Sequence, residues 1–376
     1  MPSSELSEHA GYLTDTRKLS AYEQALSAVI ATPNVSVLDL GAGSGVLGLL
    51  AARAGARVVY AVDSGPIIGA ASEVAQRSLF ANCIFHIRGR STEVALPERV
   101  DVAVCDQIGG FVHDAGVLAL FADARRRLLR PDGVLVPAGF RMFVAPARCK
   151  KVREQIDAWA SCPAGFDFSV FCELAVNTEH YVDGDQVLLL GPGIQVAEIR
   201  SDHTDSIKGG GVALVEVEGL CDGIVGWFEA ELGGGAVLTN HPDDPGRMRR
   251  WCNFYPLTES VRVEEGDTVD VHVDVRPLLK AVTWRVEITG AETVKERHST
   301  LVGEFVAADD LARARGARVT ATPIGQVVAR MLDLADGTRS TEEVMTQLSS
   351  EHPVELQSPS VEQTLRNALG QFSTPS

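Results

Sequence analysis

The sequence predicts three successive parts: a doubly wound α/β sheet over residues 1–137, an all-β part over 138–300, and a small helical part over 306–376. Three observations carry this reading. Apolar, β-branched runs alternate with helix-type segments as far as Pro137, the signature of a parallel sheet covered on both faces. From Phe140 onward strand-like runs follow one another at short intervals with turn signals between them. The last segment returns to apolar residues spaced by three or four, the helical period.

The first part is built around one stretch. Residues 35–40 form a short apolar run suited to a buried parallel strand. Gly41, Gly43 and Gly45 allow a tight turn and close backbone approach to a ligand. Residues 46–54 favour helix, and Gly55 suits its end. The next run, 58–62, ends in Asp63, a carboxylate able to accept hydrogen bonds from both hydroxyls of a ribose. Two ligands fit. Gly43, Gly45 and Gly48 match the dinucleotide fingerprint, with Asp63 near the expected acid. Alternatively, Asp39, standing just before the glycines, would repel a pyrophosphate but can pair with the ammonium of S-adenosylmethionine, directly or through water. The third reading is a glycine turn that binds nothing.

Composition narrows the classes. A length of 376 residues accommodates two or three domains and a large core. Hydrophobic residues make up 45% and charged residues 22%, as in a globular protein. The net charge of −16 disfavours a nucleic-acid partner, which calls for a basic face, and favours neutral or cationic substrates. The seven cysteines contain no Cys-x-x-Cys pair; Cys83 and His86 have ligand-like spacing, but no second pair completes a zinc site. The expectation is reduced thiols, no metal and a cytoplasmic location. No signal peptide and no membrane-length apolar run is present, so no membrane association is expected.

Along the chain, residues 1–8 are polar and expected to be mobile, and 9–30 read as one helical lead-in. After the glycine stretch come a helix over 66–78, a strand over 84–87 with Gly89-Arg-Ser-Thr92 at its tip, and a strand over 100–105 ending in Asp106. A helix over 117–129, a turn over 130–133 and a strand from Val134 close the first part. The β-rich part has strands expected near 141–145, 187–190, 211–217, 223–232, 268–275 and 282–288, with an excursion over 166–190. The helical part has segments at 324–334, 341–348 and 361–372, and Ser340 or Thr341 can cap the second, with Glu342 and Glu343 in its first turn.

This order, together with several matching stretches, resembles the protein arginine methyltransferase family over about residues 9–290. Val37-Leu-Asp-Leu-Gly-Ala-Gly-Ser-Gly45 looks like the family's cofactor loop, and Ala61-Val-Asp-Ser64 like its ribose strand, with Asp63 where Glu is usual. His9-x-x-Tyr-Leu-x-Asp15 resembles the family's lead-in, and Leu128-Leu-Arg-Pro-Asp-Gly133 its strand-ending turn. The resemblance implies a Rossmann-like methyltransferase sheet followed by a β-barrel-like domain, with S-adenosyl-L-methionine as cofactor. Carried over, it puts Lys18 on the cofactor carboxylate, Asp39, Gly41, Gly43, Asp63 and Ser64 around the cofactor, and Ser91 and Thr92 at the adenine. Tyr12 and Trp251 become substrate contacts. The excursion over 166–190 occupies the place of the dimerisation arm, implying a homodimer.

The departures from the family bear on the substrate. Of the two Glu residues that grip a guanidinium there, the first falls on Asp106 and the second on Ala115, with His113 and Asp114 just before it; the family's Thr-His-Trp appears as Arg249-Arg-Trp251. A planar fork of five donors is matched by paired carboxylates, and one shortened carboxylate opposite an Ala does not provide them. An aliphatic amine needs one carboxylate and a base or water path, so Asp106, His113 and Asp114 are the candidate catalytic residues. Their plainer roles are capping of its own loop for Asp106, and a solvated turn before a helix for His113 and Asp114, with Asp114 capping that helix's N-terminus. The helical C-terminal part looks like the small leader-binding domains of enzymes that modify ribosomal peptides. Together the resemblances imply N-methylation of an amine in a leader-bearing peptide, with daptide-type dimethylation of a C-terminal amine as the specific expectation. Against it stand an arginine methyltransferase with a rebuilt grip, a small-molecule amine methyltransferase, a non-catalytic binding subunit, and a C-terminal bundle that only buttresses the rest.

Overall fold

A computed structural model describes residues 2–303, 323–353, 356 and 359–372. Contacts divide the chain into two units, Met1–Glu304 and Phe305–Ser376. Residues 306–322, where the helical part was expected to begin, lie outside the described residues.

The chain opens with two helices, α1 (Pro2–Thr14) and α2 (Thr16–Val29). Residues 2–8, expected to be mobile, are the first turns of α1, and the single lead-in helix is broken at Asp15. The break has a local cause. The Asp15 side chain accepts from the Lys18 amide at 3.1 Å and so caps α2, while its other oxygen accepts from the Arg249 amide at 2.7 Å. An Asx cap satisfies an amide that the start of a helix would otherwise leave bare.

Five parallel strands follow: β1 (Ser36–Leu40), β2 (Val58–Asp63), β3 (Ile84–Arg88), β4 (Val100–Cys105) and β5 (Leu129–Val136), in the order β3-β2-β1-β4-β5. Helices α3 (Val46–Arg53), α4 (Ile67–Gln76) and α5 (Val117–Arg127) connect them. All five residues of the central β1 are buried, as a strand covered on both faces requires. The expected turn over 130–133 instead lies inside β5, where the pairing with β4 shifts register between Val100 and Val102 and absorbs the polar residues. Ligands of open parallel sheets gather where the strand order reverses, outside the carboxyl ends. Here that place lies between β1 and β4, beside Gly41 and Asp106.

The β-rich part forms two antiparallel sheets. One has the order β10-β14-β15-β16, from β10 (Ile207–Leu214), β14 (Thr268–Arg276), β15 (Ala281–Thr289) and β16 (Thr293–Ser299). The other has seven strands. Its main path is β7 (His180–Val182), β13 (Cys252–Val263), β11 (Gly219–Gly233), β6 (Gly139–Arg148) and β8 (Leu188–Leu189); β9 (Ile194–Arg200) pairs with β6 and β12 (Ala236–Thr239) with β11. Strands β7, β9, β12, β13 and β16 were not read from the sequence. β13 carries Pro256 and a polar second half, and β16 alternates charges, so neither shows a clean apolar period. The excursion between β6 and β8 contains α6 (Lys150–Asp157) and α7 (Val170–Val176) besides β7.

Within the second unit, α8 (Pro323–Leu334), α9 (Thr341–Glu351) and α10 (Pro359–Phe372) bury Val327, Met331, Val344, Leu348 and Leu365 among one another. Ser340 and Glu343 make the reciprocal capping box at the start of α9.

Candidate active site

The carboxyl ends of β1, β2 and β4 open into a cleft of 630 Å³. The glycine turn forms its floor, with Gly41, Gly43 and Gly45 all at positive φ. α1 contributes His9 and Tyr12, α2 contributes Lys18, and the loop after β4 contributes Asp106, Asp114 and Ala115. Tyr181, Arg250 and Trp251 reach it from the β-rich part. A Cβ on Gly43 would stand 2.6 Å from the His9 ring, so glycine is what lets α1 close over the turn. An adjoining recess is lined by Gly41, Asp63, Ser64, Ser91, Thr92 and Gln107.

The expected cofactor residues therefore meet at one place, with one exception. Asp39 lies behind the turn, 1% exposed, and does not line the cleft. Its Oδ2 accepts from the Gly48 amide at 2.8 Å, while Oδ1 is buried without a hydrogen-bond partner. Burial, with the Asp63 and Asp106 charges, pushes its carboxyl up to about 7 against the pull of the Gly48 amide. Asp63 accepts the Gly43 amide on Oδ2 (2.8 Å) and the Gly65 amide on Oδ1 (2.7 Å), which pins the turn and leaves each oxygen a second lone pair.

At the other end, Asp106 is gripped from both sides. Lys18 Nζ lies 2.5 Å from Oδ2, and Arg250 Nη2 lies 3.2 Å from Oδ1 and 3.3 Å from the Asp106 carbonyl. Both cations sit over the Tyr12 ring, 4.4 and 5.6 Å from its centroid. Tyr22 of α2 donates to the Cys105 carbonyl at 2.9 Å and fixes the helix against the end of β4. Two cations against one carboxylate leave an excess positive charge in a largely buried site. That excess suits the carboxylate of an amino-acid cofactor, as the unpartnered Asp39 Oδ1 suits its ammonium. These groups fit the amino-acid end of S-adenosylmethionine, and Asp63 with the adjoining recess fits its nucleoside end.

The remaining candidates are placed differently. Asp114 turns onto its own loop, accepting the Gly110 amide at 2.9 Å and the Phe111 amide at 3.2 Å. It caps the loop and not α5, whose N-cap is Gly116. His113 is buried and does not line the cleft. Its Nδ1 lies 3.1 Å from the Phe111 carbonyl and its Nε2 3.1 Å from Glu179 Oε2. Burial pulls this imidazole down, but the Glu179 hydrogen bond and charge, with Asp114, outweigh it and raise its pKa. His241 donates no group to the cleft; its Nδ1 accepts the Asp243 amide at 3.1 Å. Sequence reasoning missed Glu179 and Tyr181, which lie in the excursion, and Gln107, which covers Gly41.

The family model for ribosomal protein L11 methyltransferase (PrmA) matches residues 15–159. A rice relative (Oryza sativa subsp. japonica), protein arginine N-methyltransferase PRMT10, is 27% identical over 275 residues, covering 62% of this chain and 71% of the relative. An arginine N(omega)-methyltransferase of Streptomyces achromogenes is 29% identical over 276 residues, covering 69% and 74%. Among solved structures, the Trypanosoma brucei PRMT1 enzyme–prozyme heterotetramer with AdoHcy superimposes with a TM-score of 0.67 at 21% identity, covering 77% of this chain and 97% of that one. An Arabidopsis thaliana protein arginine methyltransferase 10 gives 0.65 at 22%, covering 78% and 98%. The family-model match spans the strand–glycine–acid unit. The chain is an S-adenosylmethionine-dependent methyltransferase, similar over these stretches to the L11 and arginine methyltransferases.

Proposed function

We propose that this enzyme methylates an amine nitrogen of a peptide substrate. The observation that carries the proposal is the state of the cleft's carboxylates. Asp106 is shared between Lys18 and Arg250, Asp114 serves its own loop, and Ala115 brings no charge. A guanidinium keeps its charge at any working pH and presents five donors to be matched. An amine can enter unprotonated past Lys18 and Arg250 and needs one acceptor. S-adenosylmethionine supplies an electrophilic methyl group when bound. The chain's own part is to hold that cofactor through Asp39, Asp63 and Lys18, and to orient the nitrogen beside Tyr12 and Trp251.

The finer reading is a leader-bearing precursor peptide, with dimethylation of a C-terminal amine. In it the unit of α8–α10 holds the leader, and the excursion with its exposed Phe166 and Val170 joins two copies. A second reading, methylation of arginine, is favoured by the relatives, a protein arginine N-methyltransferase and an arginine N(omega)-methyltransferase. One experiment separates them: incubation with methyl-labelled cofactor and two otherwise identical peptides, one carrying a primary amine and one an arginine as the sole acceptor. Label on the amine peptide supports the proposal, and label on arginine alone overturns it. Removal of residues 306–376 should weaken transfer to a leader-bearing substrate and leave cofactor binding unchanged.

A further inference from the structure

A further carboxylate, beyond Asp63, Asp106 and Asp114, stands at one remove from the cleft. Tyr181 of β7 lines the cleft, half-exposed, with its ring 5.6 Å from Trp251 in an edge-on arrangement. Its hydroxyl donates to Glu179 Oε1 at 3.1 Å. Residues two apart on an extended segment share a face, which is what lets Tyr181 reach back to Glu179. Asn253 and Tyr255 of β13 share a face for the same reason, and both donate to Glu179 Oε2, at 3.1 and 3.5 Å. His113 Nε2 completes the set at 3.1 Å.

Proton accounting sharpens the picture. The Phe111 carbonyl can only accept, so His113 Nδ1 carries a hydrogen. Nε2 faces a carboxylate, so the contact is favourable only with a further proton in it. The His113–Glu179 pair therefore holds one proton internally, and Oε1 is left to Tyr181 alone. A phenol that donates to a carboxylate oxygen becomes a better acceptor for the next donor. Close packing holds this wall in place: a Cβ on Gly110 would stand 2.1 Å from Asn253 Oδ1 and 2.7 Å from Trp251 Cδ1.

We infer that Tyr181, polarised by Glu179, accepts a hydrogen bond from the nitrogen to be methylated, so that Glu179 stands in for the free carboxylate the loop after β4 lacks. Tyr181 touches the substrate in this assignment, and Glu179 is a positioning residue acting through it. The assignment rests on nitrogen methylation as the reaction of this cleft. It places the nitrogen against the Tyr181 and Trp251 rings, surfaces that favour ammonium and methylated ammonium groups.

The test uses the full chain with Tyr181→Phe, Glu179→Gln and the double variant, at pH 8.5. Two readouts are taken on the amine and arginine peptides: kcat/KM, and calorimetric binding to protein saturated with S-adenosylhomocysteine. The second does not require turnover. Tyr181→Phe removes one oxygen from a half-exposed ring and is not expected to disturb folding. Each single variant should lose about tenfold in kcat/KM and peptide affinity, as for one polarised hydrogen bond. The double variant should lose no more than the worse single, because the two residues act in series. S-adenosylhomocysteine affinity should stay within about twofold of wild type. Tyr181→Phe indistinguishable from wild type in both readouts overturns the assignment and leaves nitrogen methylation intact, as do losses that simply add. A wild-type protein that neither binds nor methylates either peptide overturns nitrogen methylation, and the assignment with it.

Discussion

Replacing Asp39 by asparagine isolates the electrostatic cost stored beneath the glycine turn. The carboxyl is raised from its ordinary 3.8 to about 7, mainly by burial and then by Asp63 and Asp106. In the protein without cofactor, the folded state keeps a proton that the unfolded state releases near pH 4. The unfolded state binds fewer protons through that window, so stability falls as pH rises from about 4 to about 7 and stays low above it. Three units correspond to about 4 kcal/mol. Asparagine does not ionise and can still accept the Gly48 amide. Its NH2 group takes the position of the unpartnered Oδ1, at a penalty of about 1–2 kcal/mol for a buried donor without an acceptor. Asp39→Asn should therefore be more stable than wild type by about 2–3 kcal/mol at pH 8 and equal or less stable at pH 4. Urea denaturation across this range measures it, with S-adenosylhomocysteine absent and then present. Cofactor affinity should fall by about tenfold to a hundredfold, the loss of a charged hydrogen bond. A wild-type-minus-variant difference that does not change with pH, or a variant less stable at pH 8, would refute the reasoning.

Two further outcomes follow from the same geometry. Gly43→Ala places a Cβ at φ +52 and 2.6 Å from His9; it should lower stability by about 1–2 kcal/mol and weaken cofactor binding, and adding His9→Ala should relieve the clash but not the backbone strain. Calorimetric titration of both variants checks this, and wild-type cofactor affinity in Gly43→Ala would contradict it. Glu179→Gln breaks the buried pair with His113, whose folded pKa is raised while that of Glu179 is lowered. The His113 contribution is full below its unfolded value and fades as pH rises through the raised one. The Glu179 contribution is full above its unfolded value and fades as pH falls through the lowered one. The stability lost in Glu179→Gln, about 3 kcal/mol for a broken buried pair, should thus be greatest between about pH 5 and 6.5 and smaller at pH 9. A deficit that grows with alkalinity would exclude the ion pair.

How much of the site could be read in advance follows from sequence separation. Gly41, Gly43, Asp63 and Asp106 each stand at a strand's end, so alternation of apolar runs places them at one sheet edge before any tertiary contact is known. The placement of Asp114 could not be read in this way. Its carboxylate bonds amides only three and four residues back, yet whether the loop coils that tightly depends on Trp251 and Asn253 packing against Gly110. Charge alternation in β16 and the proline in β13 hid strands whose pairing is satisfied only by partners far along the chain.

The sequence by itself determined the elements whose causes are local. These are the strand–glycine–helix–strand–acid unit, the capping box at Ser340 and Glu343, and the succession of parallel-sheet, β-rich and helical parts. Periodicity and caps act within a few residues, so they are legible in a linear string. Only the tertiary structure decided which charges meet. It joined Lys18, Asp106 and Arg250 across 88 and 144 positions, and turned His113 away from the cleft onto Glu179, 66 positions on. Ionic partners are chosen by burial and distance in space, because a charge removed from water must find its counter-charge wherever the fold delivers one.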